Sequence, residues 1–177
     1  MKYLFLSLAV FNIAKAQVPS TQAKEDSIKA IRQIFQEINQ DHTLTDIYLD
    51  GDEFLDHTTD NGADLHGYYK KDSLRKVVVE IGLSYGQTRR EYYYNHSGYI
   101  VFIYDTEKSY PTTDTSIDNA RLDLNFEGRY YLYNHGILDI KVKGKRRFQE
   151  KVTPAYIDWL LKEEVSYAAV LHKHLKK

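Results

Sequence analysis

The sequence predicts an α+β domain: an N-terminal helix, an antiparallel meander of about five or six strands, and a C-terminal helix packed on the sheet. Three observations lead there. Apolar residues recur at helical spacing near both ends, at Ile28, Ile31, Ile34, Phe35 and Ile38 and again at Ile157, Leu160, Leu161, Ala168, Leu171 and Leu175. Between them the period falls to two: Leu122, Leu124, Phe126, Tyr130 and Leu132 alternate with Asp123, Asn125, Glu127, Arg129 and Tyr131. Short turns at Asn95-His96-Ser97-Gly98 and Asn134-His135-Gly136 join successive strands, which makes them antiparallel neighbours.

The elements follow in order. Residues 1–16, MKYLFLSLAVFNIAKA, place Lys2 before an apolar run from Tyr3 to Phe11 and end in Ala14-Lys15-Ala16. A positive start, a short apolar core and a small-x-small site are the parts of a secretory signal peptide, too short to anchor in a bilayer. With no cysteine in the chain, a lipid anchor, disulfides and thiolate chemistry are excluded together. The expected mature chain, 17–177, is one globular α+β domain, periplasmic or extracellular, held by its core alone.

Residues 17–23 read as a linker and 24–40 as an amphipathic helix. A short strand is expected at 45–49 and a β-branched one at Lys76–Ile81. Glu91–Tyr94 and Tyr99–Tyr104 form a hairpin, and 105–118, with Pro111 and many Thr and Asp residues, is a loop. Leu138, Ile140 and Val142 face inward on the last strand, and Thr153-Pro154 starts the final helix, Thr as cap and Pro at the first helical position. Both helices are expected on one face of the meander.

Several phrases together resemble small exported bacterial proteins of unassigned function that share a Tyr-rich antiparallel meander. They are Gly67-Tyr68-Tyr69, Leu74-Arg75-Lys76, Glu91-Tyr92-Tyr93 and Glu127-Gly128-Arg129-Tyr130-Tyr131, spread over roughly half the chain. The resemblance implies the fold and export, and no activity.

Charge narrows the function classes. Lys and Arg number 24 against 25 Asp and Glu, and a nucleic-acid binder carries a basic excess that is missing here. The most acidic stretch, LDGDEFLDHTTDNGADLHG at 49–67, offers Asp50, Asp52, Asp56, His57, Asp60 and Asp64 as oxygen and nitrogen donors. No register of an EF-hand loop fits: starting at Asp50, position 6 is Leu55 and position 12 is Asn61. No cofactor is therefore expected, an irregular calcium site being the alternative, while zinc finds no motif spacing.

No Gly-x-Ser-x-Gly or Ser-x-x-Lys appears. Glu91 and Glu127 are the carboxylate pair a glycosidase would use, but ion pairing on the sheet is the simpler role. Glu127, Arg129, Tyr131 and Tyr133 line up at period two, and with Tyr92 or Tyr94 they form an aromatic and charged platform. The basic run Lys141, Lys143, Lys145, Arg146 and Arg147 reads as protection of an edge strand.

The sequence thus favours a non-catalytic binding module acting on an extracytoplasmic ligand or protein through a Tyr/Arg-rich sheet face, with no transmembrane anchor in the mature chain. That reading requires Arg129 and Tyr131 on a concave surface. A metal-assisted or carboxylate-based hydrolase is the alternative, and a metal-assisted one requires at least three of the 50–64 donors to converge. An inhibitor or scaffold requires the 105–118 loop to project uncovered.

Overall fold

Among the described residues, seven antiparallel strands in strict sequence order carry one long helix on each face. The computed structural model describes residues 20–112, 118, 120–148 and 151–175, so residues 1–16, expected to form a signal peptide, lie outside the described residues. The elements are α1 (Thr21–Gln40), β1 (Thr45–Asp50), α2 (Gly51–Phe54), β2 (Ala63–Lys70), β3 (Ser73–Leu83), β4 (Gly86–Tyr94), β5 (Ile100–Ser109), β6 (Asp123–Tyr133), β7 (Gly136–Gly144) and α3 (Pro154–Leu175). No described helix is long and apolar enough to cross a membrane.

Strand alternation assigns the two faces. Val77, Val79, Tyr92, Tyr94, Ile103, Tyr130 and Leu132 bury against Ile157, Leu160, Tyr167 and Leu171 of α3. The intervening residues Tyr93, Phe102 and Tyr131 bury against Ile28, Ile31 and Ile38 of α1. The helices therefore cover opposite faces, not one: each helix has a single apolar stripe, and the sheet has two apolar faces to bury. Thr153 caps α3 as expected, its hydroxyl accepting from the Tyr156 N–H at 3.2 Å. Ser20 caps α1, which extends the helix into the expected linker.

Three segments differ from the sequence expectation. On edge strand β7, Ile140 and Val142 do not face inward but are 39% and 45% exposed. Ala63, Leu65 and Tyr69 bury one side of β2, a strand whose outward Asp64 and His66 made it look like part of an acidic loop. Asp105–Ser109 continues β5 instead of opening a loop, because Asp105, Thr106, Glu107 and Ser109 are buried and find hydrogen-bond partners there. Asp105 is fully buried and accepts from Arg146 and from the Tyr156 hydroxyl at 2.7 Å. Glu107 accepts from Arg146 at 3.2 Å and from the Arg147 N–H at 2.8 Å. Arg146 thus turns inward, and Arg147 lies over the Tyr85 ring, which corrects the reading of the whole basic run as an edge guard. Lys141 and Lys143 do stand exposed on edge strand β7, where charge discourages pairing with another chain.

Gly144 makes the exit from β7 possible. Its φ is +73°, and a Cβ there would sit 1.8 Å from the Asn125 carbonyl oxygen.

Candidate functional site

The face under α1 is built in rows by the strand register. Tyr93, Phe102, Tyr131 and Asp139 form one row across β4 to β7; Glu91, Tyr104, Arg129 and Lys141 form the next. The helix lies over the first row. Phe35 packs at 4.9 Å from the Tyr93 ring and 5.6 Å from the Phe102 ring. Polar bonds fix both helix ends: Lys24 pairs with Asp139 at 2.7 Å, and Lys76 donates to Asn39 at 2.9 Å. The second row emerges beside the helix, and a groove of about 420 Å³ opens between them.

The groove has an apolar floor and a cationic rim. Phe102 and Tyr131 form the floor, with Phe35 on the helix side. The Arg32 guanidinium stands 6.0 Å from the Tyr131 ring centroid, and that of Arg129 stands 5.8 Å from the Tyr104 centroid. Cation–π contact places each guanidinium beside a ring without itself using an N–H donor. Arg129 also pairs with Glu127, while Arg32 makes no ion pair among the described residues. Burial and the Glu127 carboxylate push the Tyr104 phenol up, so it stays a neutral donor.

Three of the six sequence-predicted binding residues belong to this groove or its rim: Arg129 and Tyr131 line it and Glu127 holds Arg129, while Tyr133 stands exposed farther along the strand, outside the groove. Tyr131 is itself 3% exposed, so it contributes a floor rather than a surface platform. Tyr92 and Tyr94 point to the opposite face, into the α3 core, and do not join the platform. Their neighbour Tyr93 does reach this side, under α1. Arg32, Phe35, Phe102 and Tyr104 were missed. The available signal was Arg32 one turn from Ile28 and Phe35, at the margin of the apolar stripe.

The carboxylates of the hydrolytic alternative are engaged elsewhere. Glu91 is held by Lys76 and Arg89, each at 2.9 Å, and by the Tyr93 hydroxyl; these neighbours keep its carboxyl below the usual range despite burial. In the acidic stretch each group has a local role. Asp50 and Glu53 form the capping box of α2, Asp60 accepts from the Ser84 N–H at 2.9 Å, and Asp64 accepts from Tyr48 at 2.8 Å. Asp56 pairs with exposed His57 at 2.7 Å, and Asp52 sits in the first turn of α2. Among the described residues no three His, Asp or Glu side chains gather as a metal centre requires.

On the α3 face, Glu164 is buried and accepts from the Tyr94 hydroxyl. Burial raises its pKa; the Tyr94 bond offsets part of that. A carboxyl raised on folding stabilises the chain at low pH, and that contribution is lost as pH rises through its folded titration. Glu164→Gln should therefore hold its melting temperature better than wild type as pH rises from the ordinary carboxyl range toward neutrality. Parallel declines in thermal melts across that range would show that Glu164 is not the group responsible.

Compared with known proteins, the chain matched no family model, no curated protein and no solved structure.

Proposed function

We propose that the chain is an exported, non-catalytic binding module whose groove beside α1 captures an anionic ligand with a flat or acyl body. The observation that carries this reading is the pairing of two guanidiniums, Arg32 and Arg129, with aromatic rings around one apolar cavity. Arginine presents its donors as a planar fork that fits a carboxylate, and the Phe35, Phe102 and Tyr131 rings suit an apolar body. The volume, about 420 Å³, falls in the range of small-molecule sites. Lys141, beside Arg129 in register, adds to the positive field at the mouth. Export, and with it a periplasmic or extracellular ligand, rests on the N-terminal sequence pattern.

The test is calorimetric titration with N-acetylphenylalanine, with medium-chain fatty acids and with their amides. Saturable binding of a carboxylate is expected, weakened about tenfold or more in Arg32→Ala and in Arg129→Ala, since a hydrogen bond to a charged group contributes about 1.5–3 kcal/mol. The amides should bind wild type no better than the carboxylates bind the variants. Equal affinity of wild type and both variants would overturn the proposal.

A further inference from the structure

A second cavity, about 670 Å³, lies at the end of the sheet where the β4–β5 and β6–β7 turns meet the N-terminal half of α1. It differs from the arginine groove in chemistry. None of its lining residues is Lys or Arg. Two tyrosine rings stand free at its edge: Tyr99 is 55% exposed and Tyr133 is 51% exposed. Five sheet tyrosines, Tyr69, Tyr92, Tyr93, Tyr130 and Tyr131, are 3% exposed or less, whereas Tyr133 on β6 and Tyr99 just before β5 keep half of their rings in water. Tyr99 is held in place by its turn. The Asn95 side chain accepts from the N–H groups of Ser97 and Tyr99, each at 3.0 Å, and the Tyr99 ring meets the His135 ring edge-on at 5.0 Å, tying the two turns together.

We propose that this cleft is a carbohydrate site, binding a neutral oligosaccharide. A pyranose offers an apolar C–H face and a rim of vicinal hydroxyls, so its receptor needs exposed aromatic faces beside donor–acceptor side chains. The cleft supplies both. Asn134 makes no side-chain hydrogen bond among the described residues, Asn95 keeps its amide N–H₂, and Asp26 on α1 uses one carboxylate oxygen on Gln22 and leaves the other. At the floor, the Tyr94–Glu164 pair adds a buried hydroxyl and carboxyl. The lack of a cationic side chain selects against the anions that suit the neighbouring groove, so the two sites separate ligands by charge.

The experiment is a broad printed glycan array probed with the labelled full chain, followed by saturation-transfer NMR with the best neutral glycan. Binding of at least one neutral oligosaccharide is expected. Tyr99→Ala and Tyr133→Ala should each weaken it about tenfold, the loss typical of an aromatic anchor. Arg32→Ala with Arg129→Ala should leave it unchanged. Both tyrosines are half exposed, so their removal spares the core, and a melting curve for each variant verifies that. An array with no neutral glycan bound, binding that survives both tyrosine substitutions, or binding lost with the arginine pair would each overturn the proposal. The last outcome would assign the sugar to the arginine groove, and failure of the carboxylate titration alone would leave the carbohydrate site standing.

Discussion

Asp105→Ala is expected to cost about 3–5 kcal/mol of folding stability, the penalty for stripping a buried charge of its partner. Asp105 has no exposed surface, and its Oδ2 accepts from Arg146, from the Tyr156 hydroxyl at 2.7 Å and, at the 3.5 Å limit, from the Tyr130 hydroxyl. Alanine would leave the Arg146 guanidinium with Glu107 alone, and the Tyr156 phenol without its partner in a site where burial keeps that phenol neutral. The effect spreads because Arg146 lies in the segment leaving β7 and Tyr156 in the first turn of α3, so one carboxylate joins three parts of the chain. Urea unfolding of Asp105→Ala, Arg146→Met and the double variant measures the coupling. The double variant should lose clearly less than the sum of the singles, because Asp105 and Arg146 no longer strand each other; Glu107, still accepting from the Arg147 N–H, loses its Arg146 partner only once. Additive losses would mean that the two side chains stabilise the fold independently.

Leu171→Ala should cost about 3–5 kcal/mol, the upper part of the range for emptying a buried leucine site. Leu171 is completely buried where α3 approaches the sheet, and it lies directly over Gly67 of β2. A Cβ on Gly67 would fall 2.9 Å from both Leu171 methyls, so the glycine is there to admit the leucine. With no side chain below, the cavity left by alanine cannot collapse readily. Gly67→Ala alone should cost about 1–3 kcal/mol through overpacking. Combined with Leu171→Ala, it should recover part of the loss, because the new methyl enters the space the leucine vacated. Chemical denaturation of the two singles and the double decides this: a double no more stable than Leu171→Ala would show that the contact does not set the helix–sheet distance.

Much of this fold was legible in the sequence. The stripe from Ile28 to Ile38 is the buried side of α1, the alternation along 122–132 places Tyr130 and Tyr131 on opposite faces, and Thr153-Pro154 starts α3. What was lost depends on long-range partners. Asp105, Thr106 and Glu107 look like loop residues until Arg146, some forty positions later, neutralises two of them inside. Alternation divides a strand into two faces but does not name the helix that covers each. Both helices were therefore assigned to one side, and the seventh strand went uncounted.

The binding residues were half legible for a related reason. In Glu91-Tyr92-Tyr93-Tyr94 every tyrosine suits either face, so parity alone could not separate the core pair Tyr92 and Tyr94 from Tyr93 under α1. The aromatic row with Arg129 was visible at period two. Its complement, Arg32, sits on a helix about a hundred residues earlier, and only the crossing of α1 over the Tyr93–Phe102–Tyr131 row brings the two guanidiniums to one groove.

The most direct test of that groove is NMR of the arginine side chains. Titrating N-acetylphenylalanine into chain carrying ¹⁵N-arginine reads each guanidinium separately through its Nε–H signal. If the groove holds the ligand, the Arg32 and Arg129 signals shift together with one saturable constant, while buried Arg90 and Arg146 stay in place. Shifts absent from Arg32 and Arg129, or spread evenly over all the arginines, would contradict the groove as the binding site.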